Sequence, residues 1–347
     1  MRIGVLYDGY AAGWSDEDIR RVLDSVQSIV DVLGTAGHEV TQIAVRPGLQ
    51  WVSSCQNSDL VFNLCEGIGA VSRFESMVVG TLELTEVPFT GARMRSILLC
   101  HNKALANAWL EARGLPVPQW HASESGRVPS GFPLPAMVKP AAEDASVGID
   151  QGAVVTSRET LEARVLAATE QHGDVLVQRY VPGREFAVAF VGGEVLPVSE
   201  IDFSAMPDSA WPIVSFQAKW VAGSPEDAGT QPVCPADVSP ELAERLRDIA
   251  SRAWLAVGGT GYGRVDLRID DAGQPWVIEV NPNPDLSEDA GLARMGRAAG
   301  WSYSTLVLRI VQEALEAAER EIPQSLVAPG VSSRAAARAS LVSRQPA

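Results

Sequence analysis

The sequence predicts an α/β domain built on a parallel sheet, followed by a larger α+β unit. Three observations predict it. Strand-like and helix-like patterns alternate over residues 1–95, a Ser/Gly/Pro-rich stretch at 123–135 interrupts them, and a hairpin pattern at 263–283 carries charges on one face near the end.

Taken in order, RIGVLY (2–7) is an apolar strand. The acidic opening Ser15–Asp18 starts an apolar-periodic helix that ends near Leu33, where Gly34 and Gly37 act as stops. Strands follow at 38–45 and 59–64, and a helix over 71–84 returns the chain to a short strand near Pro88 and Phe89. Strands joined by helices pair in parallel. A helix is expected over about 96–113, stopped by Gly114. Beyond 123–135 come a strand at 136–139, a small-residue loop at 140–149, a strand at 152–155, a helix at 158–171, and strands at 174–181, 185–191 and 194–200. Residues 202–238 hold Pro and Gly without a period, long for an idle connection, and are expected to form a lid or substrate-side segment. A helix at about 240–257 leads into the hairpin, and helices near 288–299 and 303–320 follow it. Residues 323–347 carry Arg334, Arg338 and Arg344 with no acid and are expected to be disordered. The expected domains are 1–95, 96–200 and 201–322.

The chain has 347 residues, 46% of them hydrophobic, which supplies more than one core. Its apolar runs are far shorter than the roughly 20 residues needed to cross a bilayer, and MRIGVLYDG does not read as a signal peptide. A cytoplasmic location is expected. The net charge of -15 argues against nucleic acid as a partner. Cys55, Cys65, Cys100 and Cys234 form no CxxC pair and lack a His at zinc spacing, so buried thiols are expected.

The hairpin carries the chemistry. If Ala272 and Gly273 form a two-residue turn, Asp266 lies opposite Glu279 and Arg264 opposite Asn281, all on one face. Val265, Leu267 and Ile269 against Trp276, Ile278 and Val280 then make the apolar face. Facing carboxylates repel, and a hard divalent cation with oxygen ligands removes that penalty. Neutralisation by Arg264 and Arg268 on a solvated face removes it too, and spacing alone weighs the two equally.

Several ordered motifs tip that balance. GRVDLRID and WVIEVNPN, with FNLCEG (62–67), HNK (101–103), AMVKP (136–140), SVG (146–148), VQRYVPGREF (177–186) and QAKW (217–220), resemble the ATP-grasp superfamily and within it the D-alanine:D-alanine ligase family. The resemblance spans most of the chain. It implies an ATP-grasp fold behind a Rossmann-like N-terminal domain, and a ligase that uses ATP and Mg2+, with Mn2+ able to substitute.

By that resemblance Lys103 and Lys139 reach ATP phosphates, and the loop with Ser146, Val147 and Gly148 folds over them. Gln178, Arg179, Tyr180 and Val181 match the strand that reads the adenine edge; Gln178 stands where relatives usually have Glu, and its carboxamide oxygen is expected to accept from the adenine amino group. Glu185 matches the ribose-binding acid, Lys219 a third phosphate contact on a mobile loop, and Asp266, Glu279 and Asn281 the magnesium ligands. Arg264 matches the arginine that steadies the acyl phosphate and the oxyanion, and Ser146 and Lys219 join it as expected catalytic groups. Taken singly, a lysine such as Lys103 or Lys219 is usually a solvated surface charge, and Glu185 an edge-strand charge.

The resemblance implies an amide- or peptide-forming carboxylate-amine ligase acting through an acyl phosphate, on small amino-acid-like substrates. Neither nucleic acid nor membrane is expected, and a homodimer is admitted. At the substrate end the chain departs from the family. Asp285-Leu286 and Ala290-Gly291 stand where Gly-Met and Ser-Leu are usual, and GWSDEDIRR lacks a clean Ser-x-Glu, with Glu17 or Asp18 as substitutes. Different substrates are therefore expected, with Asp285 and Ser287 as contacts. The alternatives are a genuine D-alanine:D-alanine ligase and a non-catalytic ATP-binding protein. A dinucleotide oxidoreductase is disfavoured because GIGAVS (67–72) is an incomplete glycine fingerprint.

Overall fold

The computed structural model describes residues 1–9, 15–69 and 71–321. The tail 323–347 lies outside the described residues. In the N-terminal part, β1 (Arg2–Asp8), α1 (Asp16–Thr35), β2 (Glu39–Val45), α2 (Gln50–Gln56), β3 (Leu60–Asn63) and α3 (Glu75–Leu84) alternate. The strands form a parallel sheet in the order β2-β1-β3, and a parallel bridge from Val61 to Phe89 adds the short strand expected there. Helix α1 lays Val26, Ile29 and Leu33 on Ile3 and Val5. The sequence reading did not foresee α2, which seats Trp51 and Cys55 against Leu6 and Ile43 on the other side. The helix expected over 71–84 opens as a tighter turn at Ser72–Phe74.

The single helix expected over 96–113 is two, α4 (Met94–His101) and α5 (Lys103–Glu111). Asn102 breaks it: its backbone is extended, and its side-chain oxygen accepts from the N–H groups of Ala104 and Leu105, both at 3.0 Å. The break places Lys103 in the first turn of α5, buried. There follow β4 (Trp120–Ser123), β5 (Ala136–Pro140), β6 (Val154–Val155), α6 (Arg158–His172) and β7 (Val175–Arg179), with an antiparallel sheet ordered β4-β7-β5-β6. Leu161 and Val165 of α6 cover Val138 and Val177 on its outer face, leaving Lys139 and Gln178 on the inner one. Strand β7 ends at Arg179, so Tyr180 and Val181, expected inside it, lie beyond the ladder.

The remaining elements are β8 (Arg184–Val191), β9 (Glu194–Val195), β10 (Ser199–Asp202), α7 (Phe216–Trp220), α8 (Pro225–Ala228), β11 (Gln231–Val233), α9 (Pro240–Ala256), β12 (Tyr262–Ile269), β13 (Pro275–Asn281), α10 (Gly291–Ala298) and α11 (Tyr303–Glu321). The second sheet runs β11-β10-β8-β12-β13, with β9 paired to β8. The strand expected at 194–200 is thus split, and 202–238 contains α7, α8 and β11. Helix α9 lays Leu246, Ala250, Ala253 and Trp254 on Val265, Leu267, Val277 and Val280. A Cβ on Gly263 would lie 2.2 Å from the Trp254 ring, so glycine is required for this close packing. Helix α11 returns to the N-terminal sheet, where Leu306, Ile310 and Val311 join the core of β1 and α1.

The hairpin has the expected register only at its functional end. Arg264 pairs with Asn281 and Asp266 with Glu279, but beyond Asp266 the register shifts, so that Leu267 faces Val277 and Ile269 faces Pro275. The turn is not Ala272-Gly273 alone. It spans Asp270–Gln274, where the Asp270 carboxylate accepts from Ala272 N at 3.1 Å and Gln274 N at 2.9 Å. Ile278 is the additional residue of a β-bulge that restores the register. The apolar face accordingly uses Val277 and Val280; Trp276 and Ile278, expected there, are only half-buried. Among the described residues no helix is long and apolar enough to cross a membrane. Cys55, Cys65 and Cys100 are buried free thiols, and Cys234 is partly exposed.

Candidate active site

Strand alternation puts Arg264, Asp266 and Arg268 of β12 on one face, next to Glu279 and Asn281 of β13 and Glu185 of β8. Arg264 forms a two-point ion pair with Asp266, Nε to Oδ1 at 2.6 Å and Nη2 to Oδ2 at 2.8 Å. Lys103 arrives from α5 and places its Nζ 2.9 Å from Glu279 Oε1. It also donates to Glu143 O at 2.5 Å and to Asp144 Oδ1 at 3.1 Å. Of the two arginines in the alternative reading of the hairpin face, Arg264 does pair with Asp266, whereas Arg268 pairs with Glu185 at 3.3 Å.

Burial pushes the Glu279 carboxyl up, but Lys103 outweighs it and holds Glu279 below its ordinary value. The same contacts raise Lys103 against its own burial. Glu279 is therefore an anion at neutral pH. Among the described residues no three His, Cys, Asp or Glu side chains are arranged as a ready-made metal cluster. Two carboxylates and the amide oxygen of Asn281, which also accepts from Asn283 N at 3.0 Å, fit a cation that takes its remaining oxygens from water and phosphate. That is the preference of Mg2+.

The loop after β5 faces this hairpin. Ala145 and Ser146 have positive φ (55° and 63°), costly for non-glycine residues. At Gly148 a Cβ would meet Pro140 at 2.7 Å. The loop is tied to the α7 segment by three bonds: Ser146 Oγ donates to Val214 O at 2.9 Å, Phe216 N to Ile149 O at 2.8 Å, and Trp220 Nε1 to Ala145 O at 2.8 Å. Val147 N is satisfied by Asp144 O at 3.0 Å. Trp220 also lies under Arg21 of α1, 5.6 Å from guanidinium to ring centre. Lys219 is solvent-accessible in the cleft; desolvation there, with Arg264 nearby, lowers its pKa.

On the inner face of the first antiparallel sheet, Lys139 Nζ donates to Gln178 Oε1 at 3.2 Å, both residues being buried. Burial lowers Lys139 to about 8. The expected arrangement of Gln178 is reversed. Its oxygen is held by Lys139, and its Nε2 is a buried donor with no partner among the described residues. Arg179 N and Tyr180 N are used by Gln119 O and Pro135 O, and Val181 O accepts from Arg268 at 2.9 Å. The Arg179 side chain turns away, onto Trp276 at 4.7 Å. Glu185 lies within the site; burial raises it and Arg268 opposes the rise.

The substrate end includes residues the sequence reading did not weigh. Glu66 is accessible in the cleft, yet desolvation and the neighbouring Asp285 raise it to about 7. Glu75 is buried and raised to about 8 by that burial, and it accepts from Asn283 Nδ2 at 2.8 Å. Asn283 Oδ1 in turn accepts from Tyr262 OH at 2.9 Å. The available signals were an acid inside the quoted FNLCEG motif and an acid opening the apolar helix α3. Asp285 is exposed and holds Ser287 through Oδ1, 2.8 Å from N and 2.6 Å from Oγ. Ser287 Oγ reaches Ser25 of α1 at 3.0 Å. Glu17 and Asp18 fall at the start of α1, and their side chains lie outside the described residues.

Two facing antiparallel sheets, a strained loop between them, converging lysines and a carboxylate-bearing hairpin define an ATP-grasp protein of the class of C–N ligases. Comparison with known proteins agrees. A family described as D-ala D-ala ligase C-terminus matches residues 110–312. An uncharacterized protein, y4sG, of Sinorhizobium fredii is 32% identical, covering 85% of this chain and 87% of that protein. A D-alanine–D-alanine ligase of Bordetella avium is 31% identical, covering 90% and 94%. A crystal structure of D-alanine–D-alanine ligase from Bacillus anthracis complexed with ATP superimposes with a TM-score of 0.73 at 23% identity, covering 92% of this chain and 99% of that one. The chain belongs to the D-alanine–D-alanine ligase family, whose members are ATP- and Mg2+-dependent ligases.

Proposed function

We propose that this enzyme joins a carboxylate to an amine through an acyl phosphate, releasing ADP and phosphate, and that its substrate pair differs from two molecules of D-alanine. A substrate carboxylate oxygen attacks the γ-phosphorus of ATP, and the bond to the β,γ-bridging oxygen breaks. Lys103, Lys139 and Lys219 bind phosphate oxygens, and the loop at 145–148 covers them and excludes water. Asp266, Glu279 and Asn281 would hold Mg2+, which would supply charge to screen the phosphates. Arg264, which pairs with Asp266 on the same face, steadies the acyl phosphate and the oxyanion formed when the amine attacks. The amine nitrogen then forms the new C–N bond as phosphate leaves.

The observation that carries the substrate reading is Asp285. It is exposed four residues past Asn281, is held by Ser287, and shares its field with Glu66. An acidic acceptor side favours an amine with an added positive charge and repels a free carboxylate. Glu17 and Asp18 remain candidates for the amino group of the first substrate.

A genuine D-alanine:D-alanine ligase is the second reading, favoured by the name of the Bordetella relative. A screen of ADP release across amino acids and diamines, with product masses, separates the two. Basic or carboxylate-free amines are expected to support turnover. Ordinary rates with D-alanine alone would overturn the substrate proposal while leaving the ligase reading in place.

A further inference from the structure

Lys103, assigned above to phosphate binding, has every donor already in use. An ammonium carries three N–H groups, and Glu143 O at 2.5 Å, Asp144 Oδ1 at 3.1 Å and Glu279 Oε1 at 2.9 Å take one each. The residue is 9% exposed, and its backbone N donates to Ala141 O at 2.8 Å, which fixes it at the start of α5. A phosphate oxygen can bond to this ammonium only as one of the three acceptors leaves.

The three differ in how readily they leave. Glu143 O belongs to the backbone of the loop, and Glu279 sits on β13 inside its ladder with β12. Asp144 meets Lys103 through its side chain. Its backbone carbonyl accepts from Val147 N at 3.0 Å, which pins the main chain, whereas the side chain is 46% exposed and has room to rotate. The second carboxylate oxygen, Oδ2, accepts from Nδ1 of His101, the last residue of α4, at 3.2 Å. Desolvation pushes the Asp144 carboxyl up, but His101 and Lys103 outweigh it and hold it below its ordinary value. An anion of the protein's own thus stands on Lys103 where a phosphate has to bind, and His101 keeps it there.

Resting on the ligase reading above, we propose that Asp144 is a specificity-determining residue of the phosphate site: a resident anion that the nucleotide phosphate displaces from Lys103, so that it sets the affinity for phosphates and not for the nucleoside. No covalent bond is made or broken. The carboxylate rotates into water, and a phosphate oxygen takes its charge-assisted hydrogen bond from Nζ. The empty cleft is spared an ammonium with too few anions around it, and nucleotide binding gives up one ion pair to gain another.

The test is calorimetric binding of Mg-ATP and of adenosine to the full chain, for wild type and Asp144→Asn. The asparagine keeps an acceptor for Lys103 and removes the charge, and a neutral hydrogen bond is roughly half as strong as a charged one. The variant is expected to bind Mg-ATP about ten-fold more tightly and adenosine with unchanged affinity. Unchanged or weaker Mg-ATP binding by the folded variant overturns the proposal and leaves the ligase reading intact. Equal tightening of both ligands also overturns it, because a general loosening of the cleft would act on both. A crystal structure of the wild type with Mg-ATP gives an arm that does not depend on the variant. A phosphate oxygen on Lys103 Nζ, with Asp144 moved out of hydrogen-bond distance, is the expected result; an intact Lys103–Asp144 contact overturns the proposal. Binding of Mg-ATP by neither protein overturns the ligase reading and the proposal together.

Discussion

Lys103 Nζ lies 2.9 Å from Glu279 Oε1, joining the first turn of α5 to the strand that carries the proposed metal site. The Glu279 carboxylate is thus kept ionised in a desolvated setting, as an oxygen ligand must be. Replacing Glu279 by Gln, or Asp266 by Asn, keeps hydrogen-bonding capacity but removes the anion. Each is expected to lower ADP formation by roughly a thousand-fold or more with the circular dichroism spectrum unchanged. Wild-type turnover in either variant would remove the metal assignment.

Magnesium affinity should depend on nucleotide. The hairpin offers two carboxylates and one amide oxygen, too few for six-coordination without phosphate and water. Calorimetric titration with Mg2+ alone is expected to give only weak binding, in the millimolar range or above, and ATP is expected to tighten it by about a hundred-fold. Tight metal binding without nucleotide would contradict this.

Lys139 titrates near neutrality because it is buried beside a neutral amide. Its charged form, needed for phosphate, prevails below about 8. ATP affinity should therefore be level from pH 6.5 to 7.5 and fall by up to about ten-fold per unit above pH 8. Calorimetry at pH 7, 8 and 9 checks this, and equal affinity at all three counts against a role for the Lys139 charge.

Glu75 supplies a stability signature. Its folded pKa is raised from 4.5 to about 8 by burial, so the folded protein retains a proton that the unfolded chain has lost. Stability then falls as pH rises from about 4.5 through about 8. Glu75→Gln keeps an acceptor for Asn283 and removes the penalty. It is expected to raise Tm by a few degrees at pH 8 and to leave it nearly unchanged at pH 4.5. An equal shift at both values would mean that Glu75 is not the titrating group.

Trp220 fastens the α7 segment to the strained loop through its bond to Ala145 O. Trp220→Phe removes one hydrogen bond, about 1 kcal/mol, and is expected to raise the KM for ATP about five-fold with a smaller change in kcat. An unchanged KM would show that this fastening does not govern nucleotide binding.

Much of this site was legible before any coordinates. The period-two alternation of β12 and β13 put Arg264, Asp266, Glu279 and Asn281 on one face, because register near the metal end depends on pairing that neighbouring residues specify. The helix break at Asn102 was not legible. HNK reads as part of a continuous helix until the Asn102 side chain is seen capping α5, and that break aims Lys103 at the hairpin.

Local periodicity and contiguous motifs were enough for the parallel N-terminal sheet, the carboxylate hairpin and the family of chemistry. Long-range packing settled that a bulge at Ile278 rescues the register, that Glu279 is paired with Lys103, and that Lys139 holds the oxygen of the buried Gln178 amide. It also brought Glu66 and Asp285 into one field. These outcomes depend on desolvation and on partners far apart in the chain, such as Lys103 and Glu279 or Glu75 and Asn283, which no local pattern of residues encodes.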